Sequence, residues 1–237
     1  MDPNLIFDIG AFEGQDSEYY LQKGFRVVAV EANPELIPKI LSRNAAAAKS
    51  GRLVIVNRAV AETEGYADLH LFEYSQWASL HKAKQGYTKS IQVKTILPSS
   101  LFSSYGVPYY LKIDIEGADI FVVRAISTLG GDVPKYVSFE ITPDCKEAIS
   151  ILSESAYSKF KLVEQSTVPD MRPPLPPQEG GYADFVFTHA NTGLFGEELP
   201  GKWLNLSDAI SVIEAIDWET PVKCGWKAWY DIHVAVE

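Results

Sequence analysis

The chain has little of what marks a secreted scaffold, a membrane protein or a nucleic-acid binder. Its 237 residues include two cysteines, Cys145 and Cys224. Two distant cysteines make neither a disulfide framework nor a zinc site, and they read as reduced thiols of a cytoplasmic protein. No apolar run approaches the ~20 residues of a membrane span. Met1-Asp2-Pro3 leads into an apolar run without a basic leader or signal-peptide core. Lys/Arg clusters are missing, and the formal net charge is -10, which repels phosphate backbones at long range. The expected partners therefore exclude nucleic acid and membranes, and nothing in the sequence specifies an oligomeric state. Internal repeats and low-complexity tracts are also absent. What remains is 46% hydrophobic and 22% charged, an ordinary globular balance with enough apolar material for a core without disulfides or structural metals.

The first two thirds alternate strand-like and helix-like segments. Apolar runs at Leu5–Ile9, Phe25–Val30, Leu53–Val56, Tyr109–Ile113 and Lys135–Phe139 read as strands, and Phe160–Glu164 and Tyr182–Phe187 as later ones. Tyr66–Phe72 and Ser90–Ile96 alternate apolar and polar residues, as edge or hairpin strands do. Helices are expected over Glu13–Lys23, Pro34–Ala48 with Asn33 as N-cap, Gly117–Ile126, Pro143–Ala156 and Ser207–Ile216. Trp229–Val236 alternates like a final strand. This order predicts an open, mostly parallel sheet covered on both faces, with ligands at the carboxyl ends of its strands. Asp8, Glu31, Asp114 and Glu140 each end an apolar run, so four carboxylates gather where a ligand would sit. The Pro/Gly-rich stretch Met171–Gly181 is expected to be a loop. Residues 1–190 read as the ligand-binding domain and 191–237 as a C-terminal extension packed on it.

Three motifs carry chemistry. In Asp8-Ile9-Gly10-Ala11-Phe12-Glu13-Gly14, glycines let the backbone turn tightly and approach a ligand, and the next helix aims its N-terminus at the loop. The spacing is Gly-x-x-x-Gly, not the Gly-x-Gly-x-x-Gly of dinucleotide sites. Asp8 and Glu13 would oppose a pyrophosphate but favour a sulfonium and an ammonium. Glu31, at the end of the second strand, can accept hydrogen bonds from both hydroxyls of a ribose. In Lys112-Ile113-Asp114-Ile115-Glu116-Gly117, Lys112 and Asp114 share one strand face, and Glu116 opens the next helix.

These motifs resemble the FkbM-type S-adenosylmethionine-dependent methyltransferase family. The resemblance runs from Leu5 to Glu140 through Phe7-Asp8-Ile9-Gly10-Ala11 with Gly14, Val30-Glu31-Ala32-Asn33-Pro34, Asn57-Arg58-Ala59-Val60 and Leu111-Lys112-Ile113-Asp114-Ile115-Glu116-Gly117. The chain departs from many members at Thr95-Ile96-Leu97-Pro98, where they have Thr-Leu-Asp. The resemblance implies a Rossmann-like class I methyltransferase sheet, α/β and mostly parallel with an antiparallel last strand. It implies S-adenosyl-L-methionine as cofactor, held by Asp8, Gly10, Ala11, Glu13, Gly14, Glu31, Ala32, Asn33, Ala59 and Asp114. It also implies O-methylation of a hydroxyl on a sugar-containing or secondary-metabolite acceptor, a small molecule or glycan.

Methyl transfer to a hydroxyl needs alignment and a base. The candidate bases are Asp114, Glu116, Glu140 and His81. Asp231 and His233 share a face of the last strand, but no third ligand stands near them in sequence and no metal is assigned. Tyr87, Trp77, Tyr105, Tyr109 and Tyr110 are candidates to stack on a sugar. Two other readings remain: a nicotinamide-dependent reductase, against which the glycine spacing and Glu13 weigh, and a non-catalytic nucleoside-binding module, against which the intact Lys112-Asp114-Glu116 run weighs.

Overall fold

Strand β1 (Asp2–Ile9) sits at the centre of the molecule because both of its faces are apolar. Leu5, Phe7 and Ile9 point to one side of the sheet and Ile6 to the other, each at most 2% exposed. The computed structural model describes residues 1–73, 78–81, 86–141, 145–220, 227 and 229–237. Around β1 lie β2 (Arg26–Val30), β3 (Leu53–Val56), β7 (Pro108–Ile113), β8 (Tyr136–Ile141), β9 (Tyr157–Glu164) and β10 (Tyr230–Val236), in the order β3-β2-β1-β7-β8-β10-β9. β1, β2, β3, β7 and β8 pair in parallel, and β10 runs antiparallel to both β8 and β9. This is the expected Rossmann-like sheet with its antiparallel last strand. A second, three-stranded sheet, β4 (Ala59–Val60), β6 (Tyr87–Ile96) and β5 (Tyr66–Phe72), includes the expected hairpin pair of β5 and β6.

The two faces of the main sheet are covered differently. One carries α4 (Pro98–Tyr105), α5 (Asp119–Ser127), α6 (Lys146–Ser155) and α7 (Leu206–Ala215). The other carries α1 (Gln15–Gln22), α2 (Ile37–Arg43) and α3 (Ala45–Lys49), together with the segment from Ala183 to Leu199. Phe195 stacks flat on Tyr110 of β7, centroids 4.5 Å apart, so aromatic packing does there what a fourth helix does on the opposite face. The wrap is tied down through a fully buried ion pair, Lys23 Nζ to Glu198 at 2.8 Å. Glu198 also accepts from Tyr19 Oη and from the backbone N–H groups of Gln178 and Glu179.

Several boundaries differ from expectation. Tyr182–Phe187 is not a strand. Its alternation is real, since Ala183 and Phe187 are buried while Tyr182, Asp184 and Val186 are exposed, but Phe185 and Phe187 pack on Tyr19 of α1. The place next to β8 belongs to β10. β10, within the expected C-terminal extension, is an inner strand of the main sheet. The predicted helix from Pro34 is two short helices meeting at Asn44, and it begins at Ile37; the Asn33 side chain accepts instead from the N–H of Glu35. Helix α4 was not anticipated, and the family departure falls on it: Leu97 is its N-cap, without a side-chain bond, and Pro98 opens its first turn. Cys145 is buried; Cys224 lies outside the described residues.

Candidate functional site

A cavity of about 660 Å³ opens at the carboxyl ends of β1, β2, β7 and β8, within the size range of small-molecule sites. Its floor is the turn after β1. Gly10 has φ 82°, and a Cβ there would lie 1.8 Å from the carbonyl oxygen of Asp114. Only glycine lets the β1 and β7 turns meet this closely. The N–H groups of Gly10 and Ala11 both donate to the carbonyl of Val30, locking the turn to β2. Phe12 follows at φ 50°, a backbone region that costs about 1–3 kcal/mol in a non-glycine residue. That conformation aims the Phe12 N–H at Glu31 Oε2, 2.9 Å away.

Glu31 is 7% exposed and lines the cavity. Its other oxygen accepts from the N–H of Asn33 at 2.7 Å, and burial pushes its carboxyl up to about 7. Asn57 donates to the carbonyls of Glu31 and Ala32 and so fixes the loop that presents the acid. Ala32, Leu36, Ala59, Val60, Leu69 and Leu80 form an apolar wall beside it. A carboxylate next to an apolar slot fits a ribose bearing a flat heterocycle.

Beneath the turn lies a buried charge cluster. Lys112 Nζ donates to the carbonyl of Gly10 at 2.9 Å and stands 3.2 Å from Asp8, 3.6 Å from Asp16 and 3.5 Å from Asp114. Burial works against its charge, but Asp8, Asp114 and Asp16 outweigh it and keep the ammonium firmly protonated. Asp8 accepts from Ser17 Oγ at 2.6 Å. Asp16 accepts from Asn191 and from the N–H of Thr192; burial pushes it up to about 6 although Lys112 pulls it back. Asp16 lines the cavity, where an acid suits the ammonium of an amino-acid moiety.

More carboxylates line the same cavity. Oxygens of Asp114, Glu116 and Glu140 lie within 4.8 Å of one another. Glu116 is held at φ 53°. The N–H groups of its neighbours Ile115 and Gly117 donate to Asp119, and its carbonyl accepts from Ser79 Oγ. Asp231 lines the same region; burial, then Asp114 and Glu140, push its carboxyl well up.

The structure thus brings together Gly10, Ala11, Glu31, Ala32, Ala59, Asp114, Glu116 and Glu140 around one cavity, with Asp8 buried just beneath. It does not bring in four others. Glu13 turns outward to Lys39, 2.5 Å away. Gly14 starts α1 and lies against Ile40 and Asn44. Asn33 serves the loop. His81 is exposed, its ring against Gly117. Tyr109 and Tyr110 pack in or beside the core, Tyr87 and Tyr105 lie at the surface, and Trp77 falls outside the described residues. His233 is buried with both ring nitrogens unbonded, and burial holds it neutral, down to about 3.

Sequence reasoning missed Asp16, His189, Asn191, Thr192 and Trp229, which also line the cavity. Asp16 sits within the motif helix and could have been found from its i, i+2 relation to Gly14; the others come from segments that no local pattern connects to the site.

Residues 8–159 match the methyltransferase FkbM domain. No curated protein matches the chain. Among solved structures, precorrin-6Y C5,15-methyltransferase from Geobacter metallireducens GS-15 is similar at 13% identity over 100% of this chain and 81% of that one, TM-score 0.43. Methyltransferase FkbM from Methylobacillus flagellatus KT is similar at 17% identity over 68% of this chain and 40% of that one, TM-score 0.43. The fibrillarin pre-rRNA processing protein of Methanococcus jannaschii is similar at 12% identity over 69% and 63%, TM-score 0.39. With its family domain spanning both the turn after β1 and the Lys112–Gly117 run, the chain belongs to the FkbM methyltransferase family.

Proposed function

We propose that this protein transfers a methyl group from S-adenosylmethionine to a hydroxyl oxygen of a small-molecule acceptor, sugar-containing or a secondary metabolite. Family membership implies the donor, whose sulfonium supplies an already activated methyl group. The observation that carries the reading is a single cavity lined by the buried Glu31 beside an apolar wall and by the clustered carboxylates Asp114, Glu116 and Glu140. Glu31 would accept from the ribose hydroxyls, and the apolar wall from Ala32 to Leu80 would take the adenine. Asp16 and the turn at Gly10–Phe12 would hold the methionine portion. At the other end a carboxylate of Asp114, Glu116 or Glu140 would orient the acceptor hydroxyl and take its proton as the new bond forms. Most of the acceleration then comes from alignment in a site that excludes water.

Thermal unfolding with added ligands tests the cofactor. S-adenosylhomocysteine should raise the melting temperature and NAD should not; stabilisation by NAD alone would refute the reading. Incubation with labelled S-adenosylmethionine and a panel of hydroxylated sugars and secondary metabolites tests the acceptor. A methyl ether is the expected product, and methylation on nitrogen or carbon would contradict the proposal.

A further inference from the structure

The carboxylate end of the cavity is built from three strand ends that meet only in the folded chain. Asp114 follows β7, with Glu116 two residues on. Glu140 is in β8, and Asp231 of β10 is its direct cross-strand partner. Ligand oxygens of Asp114, Glu116 and Glu140 lie within 4.8 Å of one another. Oxygens on opposite sides of a calcium-sized cation, bound at ~2.3–2.6 Å, stand about 4.6–5.2 Å apart. Small side-chain rotations would therefore close the three oxygens around one cation.

Asp231 is a separate observation. It is 8% exposed and lines the same cavity, and its side-chain carboxyl makes no hydrogen bond or ion pair with any described residue. A carboxyl removed from water without a protein partner is unfavourable unless the cavity's occupant supplies one. Lys112 does not serve: it faces Asp8, Asp16 and Asp114, and its single charge is already outnumbered. Among the described residues the donors are all carboxylate oxygens, a set that favours a hard cation such as Mg²⁺, Mn²⁺ or Ca²⁺ over zinc.

We infer that Asp114, Glu116 and Glu140, backed by Asp231, hold a divalent cation whose open positions take two adjacent oxygens of the acceptor. The acceptor half of this inference rests on the methyl-transfer reading; the cation half does not. A hydroxyl bound to the cation loses its proton more readily. That proton passes to a carboxylate oxygen turned away from the cation. The oxygen–methyl bond forms as the sulfur–methyl bond breaks, and the donor leaves as a neutral thioether. This selects acceptors with vicinal hydroxyls, or a hydroxyl beside a carbonyl, over isolated alcohols.

Titration of the chelator-stripped full chain with Mn²⁺, followed by electron paramagnetic resonance, tests the site. One Mn²⁺ should bind per chain and be displaced by Mg²⁺. Glu116→Gln and Glu140→Gln should each weaken binding about tenfold or more, because ligand charge sets affinity in such sites. Asp231→Asn, a near-isosteric change, should weaken it as well, with thermal melting and S-adenosylhomocysteine binding retained in all three as evidence of folding. S-adenosylhomocysteine binding without a stoichiometric Mn²⁺ site, or an Mn²⁺ site indifferent to all three substitutions, would overturn the cation inference and leave the methyl-transfer reading standing. A substitution-sensitive Mn²⁺ site in a protein that ignores S-adenosylhomocysteine would support the cation and sink the methyl-transfer reading.

Discussion

The two ends of the cavity are made by different means. Around the turn after β1, three charged groups have protein partners: Glu31 takes two backbone N–H groups, Asp16 takes Asn191 and Thr192, and Lys112 joins three aspartates to the Gly10 carbonyl. Asp114 is one of those three aspartates, yet its side chain is 46% exposed, and the buried Asp231 carboxyl has no hydrogen bond among the described residues. The first end is assembled before any ligand arrives, which suits a cofactor that is always the same. The second brings acids from separate strand ends close together in the fold.

Four substitutions would break or sharpen this contrast. Gly10→Ala should have the largest effect, because its Cβ would meet backbone 1.8 Å away at a positive φ. A loss of roughly 5 kcal/mol in urea unfolding, or failure to fold, is expected; wild-type stability would mean that the β1 and β7 turns are not locked together. Lys112→Met should come next, stranding buried aspartates without their cation. About 3–5 kcal/mol should be lost at pH 7, with much of it regained on acidification as those carboxyls protonate.

Glu31→Gln acts on binding more than on folding. The Glu31 carboxyl, raised from 4.5 to about 7, holds a proton that the unfolded chain releases near pH 4.5. Its contribution to stability is therefore complete below pH 4.5 and lost as pH climbs through 7, amounting to up to roughly 3 kcal/mol. Ribose hydroxyls donate to the ionised form, so S-adenosylhomocysteine affinity should rise between pH 6 and 8. Calorimetry on Glu31→Gln should show affinity lower by about tenfold or more at pH 8 and no such pH dependence. A pH profile shared by wild type and variant would remove Glu31 from the site. Glu13→Gln should do least: it loses a partly exposed pair with Lys39 worth about 0.5 kcal/mol or less and should leave cofactor affinity unchanged.

Glu13 also shows how far the sequence could be read. The strands around the site were legible because parallel strands buried on both faces are continuous apolar runs, and the acids that end them stood out against that background. Side-chain direction after Gly10 was not legible. Phe12 adopts a left-handed conformation that local pattern does not announce, and it sends the Glu13 side chain to the surface. Alternation at Tyr182–Phe187 specified a buried face but not the partner, which is α1 and not a strand. Trp229 and Asp231 reach the cavity because β10 inserts beside β8, a pairing set by topology over some ninety residues of chain. The turn after β1 and Glu31 lie within short motifs and could be read; the placing of Asp231 and Trp229 is made by long-range contacts and needed the fold.

A crystal structure with S-adenosylhomocysteine tests the central claim most directly. The account predicts both ribose hydroxyls within hydrogen-bond distance of Glu31 and the sulfur facing Asp114, Glu116 and Glu140. A nucleoside bound with its ribose away from Glu31, or a sulfur directed away from that carboxylate group, would contradict it.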